Sequence, residues 1–176
     1  MLERITRMIR LDGSVFGEIE DDPNATPQAY LIVAIASALN ALGFALLSES
    51  PITSFIGGFA NGVVGWVVWA VVTHYAGRWV FKGRGTLGQM LRVLGYASAP
   101  NALGILAFIP CLGLLGAFGG WLISLIVGVV AIKEALDVGP VAAIGVVIVG
   151  AIAAAMLYEV AGVILGGAFS AIGALR

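Results

Sequence analysis

A carboxylate in hydrocarbon is costly unless it is protonated, paired or in contact with water, and Glu159 is the one charged side chain set deep inside an apolar run of this chain. Two chemistries fit it. Glu159 serves a proton or cation relay, or touches a polar ligand. Alternatively, its helix tilts or breaks and the carboxylate reaches the outer headgroups. Asn61, near the outer end of another run, is expected at comparable depth and is the preferred neutral partner. Asn40, Asn101 and Ser124 fall near the middle of three further runs. Interhelical hydrogen bonds from such groups add about 1 kcal/mol or less each. A cluster of them would lock a bundle or line a small-solute site. His74 with Tyr75 reads as an interfacial pair, and the lone Cys111 as a packing residue without a disulfide framework. No glycine-rich phosphate loop, metal-ligand spacing or nucleophile elbow is present, so no enzyme, cofactor or metal is expected.

The elements that must carry these groups follow from the charge pattern. The chain has 176 residues, of which 60% are hydrophobic and 11% charged. Its mean hydropathy is +1.05. A soluble domain of this size needs far more charge to cover its surface. A net charge of −1 gives no reason to expect a nucleic-acid partner. A helix crosses a roughly 30 Å hydrocarbon core with about 20 residues. Five runs qualify, at about 29–47, 55–77, 93–110, 112–132 and 140–169. The expected fold is therefore an all-α polytopic bundle of five transmembrane helices, with the lipid bilayer as its first partner.

Lys and Arg mark the cytoplasmic side. Arg4, Arg7 and Arg10 precede the first run, Arg78, Lys82, Arg84 and Arg92 follow the second, and Lys133 follows the fourth. The 48–54 and 110–112 loops carry no basic residue. This places the N-terminus inside and, after five crossings, the C-terminus outside. Residues 1–28 form a cytoplasmic segment and 29–176 a single membrane domain. Within the first, Leu2, Ile5, Met8 and Ile9 share a helical face and the arginines occupy much of the rest. This describes a basic amphipathic helix on the inner leaflet, or a topology signal alone. Arg78, Lys82 and Arg84 around Trp79 would meet the same leaflet.

Small residues recur at close-packing intervals: Ala34, Ala38, Ala41 and Ala45, then Gly58 and Gly62, Gly116 and Gly120, and Gly162 and Gly166. Ordinary packing within one chain explains them. A homo-oligomer is compatible with them but not specified. Thr86 with Gln89 forms a capping-box pattern, so a helix is expected to start near Leu87. Pro100 lacks a backbone donor and disfavours a helical Ala99, which predicts a kink near 97–101 with Ser98 and Asn101 as hydrogen-bonding partners. Trp66, Trp69 and Trp121 lie too deep for interfacial belts and read as volume fillers or lipid-facing groups.

The order of these features resembles the Yip domain family, small five-span membrane proteins named for their interaction with Ypt/Rab GTPases. The similarity rests on the short acidic segment Phe16 to Pro23, the basic loop after the second run and Gly95-Tyr96-Ala97-Ser98-Ala99-Pro100. The last looks like the family's Gly-Tyr-x-x-x-Pro signature, which singles out Gly95, Tyr96 and Pro100. Eukaryotic members sit in Golgi and endoplasmic-reticulum membranes and bind prenylated Rab GTPases and coat machinery. With only about 28 residues before its first run, this chain is more similar to compact prokaryotic members, which implies a plasma or inner membrane. The resemblance implies a non-enzymatic adaptor or organiser with a protein partner at the cytoplasmic face. The alternative is a transporter or channel for a small solute, ion or lipid, built around Glu159.

Overall fold

The structure is a computed structural model that describes residues 1–153 and 156. Its helices are α1 (Leu2–Ile9), α2 (Gly13–Asp21), α3 (Ala25–Ala45), α4 (Pro51–Phe81), α5 (Leu87–Ala97) and α6 (Leu112–Leu136), with a 3-10 segment, Ala99–Phe108, between the last two. A shorter apolar helix, α7 (Pro140–Ala153), follows.

Three of these helices, α3, α4 and α6, are long and apolar enough to cross a membrane. At 1.5 Å per residue, the 21 residues of α3 rise about 32 Å and the 31 residues of α4 about 46 Å. The protein is thus an all-α, multi-span membrane bundle, but with three such helices among the described residues rather than five. The expected third span is not one helix. Its backbone ends α5 at Ala97, where the Ser98 hydroxyl donates to the Gly95 carbonyl at 2.7 Å. The chain then tightens into a 3-10 helix that begins beside Pro100, a residue that cannot supply an α-helical donor. In the fifth run the described helix has only the 14 residues Pro140–Ala153. The rest of that run, with Glu159, Gly162 and Gly166, lies outside the described residues. The placement of the C-terminus on the outer side depended on five crossings and falls with that count.

The described chain has a basic end and an opposite end. α3 packs against α4 and against the 3-10 segment, and α6 packs against the 3-10 segment and α5. Small residues set the separations. A Cβ on Gly58 would sit 3.1 Å from the Ala41 Cβ, and one on Gly120 would sit 2.5 Å from the Pro100 carbonyl oxygen. These glycines make room for neighbours in the same chain.

At the basic end α4 turns off at Lys82, which takes a left-handed φ of 57°. The Arg84 amide then donates to the Leu136 carbonyl at 3.0 Å, which pins the 82–86 loop to the end of α6. The Thr86–Gln89 capping box starts α5 with both reciprocal bonds present. The N-terminal segment closes this end. Met8, Val15, Phe16 and Ile19 are buried in one apolar cluster with Met90, Val93, Ile132 and Leu136. Leu2 and Ile9 of α1 remain exposed.

Candidate functional site

Asparagines and a serine of the apolar runs converge on a cavity of about 540 Å³ lined by α3, α4, α5, the 3-10 segment, α6 and α7. Asn40, Asn61, Asn101 and Ser124 all line it. Their meeting follows from helix faces. On α4, Gly58, Asn61, Gly62, Gly65, Trp66 and Trp69 recur every three or four residues and so share one side. On α3, Val33, Ala36, Ser37 and Asn40 do the same.

Asn40 reaches across the helix interface, with its Nδ2 donating to the Asn101 carbonyl at 3.2 Å. Asn101 lies within the 3-10 segment, so this bond ties α3 to that segment. Ser124 lies on α6 with its hydroxyl buried and without a hydrogen-bond partner among the described residues. Glu159, the expected centre of the site, lies outside the described residues, as does any pairing of it with Asn61.

The tryptophans were the part of this site that sequence reasoning missed. Trp66, Trp69 and Trp121 line the same cavity as the asparagines. Trp66 is buried with an indole N–H that has no acceptor among the described residues, and Tyr30 meets its ring edge-on at 5.1 Å. The signal was available. Trp66 and Trp69 follow Asn61 at helical spacing, and a face carrying an amide, small residues and two indoles is unusual for simple volume filling.

A second candidate surface is the basic end. Arg4 donates to Asp22 at 2.8 Å, and Arg7 to Asp12 at 2.8 Å and to Glu18 at 2.8 and 3.0 Å. Two of the arginines expected to meet lipid headgroups thus hold the N-terminal segment's own acids. Arg10, Arg78, Lys82 and Arg84 are exposed. Arg92 donates to the Glu20 carbonyl, and Gln89 donates to the Glu20 carboxylate at 2.7 Å. These bonds tie the end of α2 to α5. The residues of the Gly-Tyr-x-x-x-Pro pattern act at the same seam. Gly95 lets α5 approach α3, since a Cβ there would meet the Ala29 Cβ at 2.7 Å. The buried Tyr96 donates its hydroxyl to Gln28. Pro100 lies at the helix transition.

The ion pairs have a pH signature. The Arg7 and Arg4 guanidiniums hold the Glu18 and Asp22 carboxyls below their ordinary values of 4.5 and 3.8. The Ser14 hydroxyl, and then Arg7, does the same for Asp12. Groups whose folded value is depressed contribute stability above the unfolded value and lose it as pH falls through the folded one. Burial, followed by repulsion from Asp21, raises Glu20, which has the opposite sign and favours attachment as it protonates. Asp12, Glu18 and Asp22 pair with arginines of α1, whereas Glu20 faces α5, so acid loosens the α1–α2 pairing, and limited proteolysis within residues 1–14 is expected to accelerate as pH falls below 4.5. Cleavage rates unchanged over that window would contradict the pairing.

No curated protein and no solved structure matches the chain. A family model does. The Yip1 domain matches residues 8–173, a stretch that begins within α1 and takes in α2 and every later helix described above. With that match over nearly its whole length, a bundle of membrane-length helices and a capped basic end, the chain belongs to the Yip1 domain family.

Proposed function

We propose that this protein is a non-enzymatic membrane adaptor or organiser of the Yip type, working through its basic end. The family match is the observation that carries this reading. The basic end supports it physically. α2, the 82–86 loop and the end of α6 form one connected surface, with Arg78, Lys82 and Arg84 exposed around it. Under the positive-inside rule that surface faces the cytoplasm, where a protein partner would find it.

A photo-crosslinking amino acid placed at Lys82, and separately at Leu47 in the opposite loop, tests the proposal in native membranes. Discrete protein adducts from Lys82 and few from Leu47 are expected. Equal yields from both ends, or adducts from Leu47 alone, would contradict it.

The cavity favours a second reading, in which the bundle handles a solute or lipid. Asn40, Asn61, Asn101 and Ser124 stand on one lining, as such a role requires.

A further inference from the structure

α1 does not lie flat across the basic end. Leu2 and Ile5 line a shallow groove of about 230 Å³ with Ile32 and Ile35 of α3 and Ala99 and Ala102 of the 3-10 segment. Ile32 and Ile35 stand about 10 and 15 Å from the start of α3, at 1.5 Å per residue. The first turn of α1 therefore stands beside a membrane-length helix, at the level of its apolar run. This groove lies on a different face of α3 from the cavity, which takes Val33, Ser37 and Asn40. The last described helix, α7, is on the cavity side, where Val147 and Ala151 line the wall.

Helical spacing assigns each side of α1. Met8 is buried, and Ile5 packs against the same cluster. Leu2, Thr6 and Ile9 form the neighbouring stripe. Leu2 is 74% exposed and Ile9 46%. The Thr6 hydroxyl donates to the Leu2 carbonyl at 3.1 Å, so the stripe brings no unmet side-chain donor into hydrocarbon. Beside the groove, Leu31 and Ile35 of α3 are exposed too, so the stripe continues the apolar outer surface of the span. Glu3 and Arg10 flank the stripe on the edge away from Ile5 and Met8, and both are exposed. Arg4 and Arg7 turn their guanidiniums to Asp22, Asp12 and Glu18. Their long stems let the charges sit at the bundle end while the backbone lies deeper.

We infer that α1 is immersed in the leaflet at the basic end, with its Leu2–Thr6–Ile9 stripe against phospholipid acyl chains and Glu3 and Arg10 at the headgroups. Two of its three arginines are engaged by the chain's own acids, so the hold on the bilayer is apolar and independent of anionic lipid.

Spin labels on single cysteines test this in the full chain carrying Cys111→Ser, in phosphatidylcholine nanodiscs. The readout is collision with oxygen, which partitions into hydrocarbon, against collision with a water-soluble nickel chelate. Leu2→Cys and Ile9→Cys place the label on the stripe, and Leu31→Cys marks the outer face of α3. Gly17→Cys marks water, on the exposed side of α2 with nothing within 4 Å of its Cβ. Each of these positions is exposed, so the labels leave the packing intact. The oxygen-to-chelate ratio at Leu2 should lie severalfold above that at Gly17 and close to that at Leu31, with Ile9 in between. It should not change when phosphatidylglycerol replaces part of the phosphatidylcholine. A ratio at Leu2 equal to that at Gly17 would place α1 in water and overturn the inference. Weak collision of the Leu2 label with both reagents would mean that protein covers the stripe, from this chain or a second copy, and would overturn the lipid as occupant. A ratio that rises with phosphatidylglycerol would overturn the apolar hold in favour of a cationic one.

Discussion

Replacing Gly43 with valine is expected to destabilise the bundle by more than about 3 kcal/mol, at or beyond the upper end of the usual overpacking penalty. A Cβ at this position would overlap the Gly104 carbonyl oxygen and lie 2.9 Å from the Gly104 carbonyl carbon and the Ile105 Cα. All three are backbone atoms, so no rotamer change relieves the clash. α3 and the 3-10 segment would have to separate, and the Asn40 bond to the Asn101 carbonyl would go with them. Gly77 gives the useful contrast, because its Cβ would meet the Leu136 methyl end, which can rotate away. Gly57 is the control, with nothing within 4 Å of its Cβ. Thermal unfolding in detergent, followed by size-exclusion of the surviving fold, should show Gly43→Val far below wild type and Gly57→Val near it. Equal midpoints for the two variants would mean that α3 and the 3-10 segment are not in backbone contact.

The second large effect is expected from Phe16→Ala. Phe16 is fully buried, and its loss removes an aromatic anchor from the cluster that joins α2 to α5 and α6. Truncations of this kind cost about 3–5 kcal/mol in a packed core. The consequence here is local. α2 should detach from the basic end while α3, α4 and α6 stay packed through contacts that do not involve it. Amide protection across residues 15–20 should fall by about two to four orders of magnitude, as each 1.36 kcal/mol is a factor of ten. Protection within α6 should hold. A uniform loss throughout the bundle would show that α2 is an integral part of one cooperative unit.

Much of this architecture was legible in the sequence, for reasons that differ from element to element. The Thr86–Gln89 capping box and the break at Pro100 are local stereochemistry, which a membrane does not alter. The gathering of Asn40, Asn61, Asn101 and Ser124 follows from helix faces and similar depth. The span count was not legible, because hydropathy records side-chain character and not backbone geometry. Residues 93–110 are as apolar as a span, but Pro100 divides them between α5 and a 3-10 helix. The docking of the N-terminal segment was hidden too. Three arginines beside an apolar face resemble a lipid-binding helix, and the acids that follow look like a helix stop. Only the fold brings Asp22 back to Arg4 across 18 residues and sinks Phe16 into the core. Glu159, the one charge set deep in an apolar run, lies outside the described residues.

At the basic end the N-terminal helices and the ends of the membrane helices share one buried cluster, which holds α2 on the bundle. Hydrogen exchange of the wild-type protein in nanodiscs at neutral pH tests this most directly, through the amides of Val15 to Glu20. Protection comparable to that of Met90 to Leu94 in α5 is the predicted result, since both stretches share one buried cluster. Exchange of Val15 to Glu20 within seconds, while α5 stays protected, would mean that α2 is not held on the bundle, and would contradict the account.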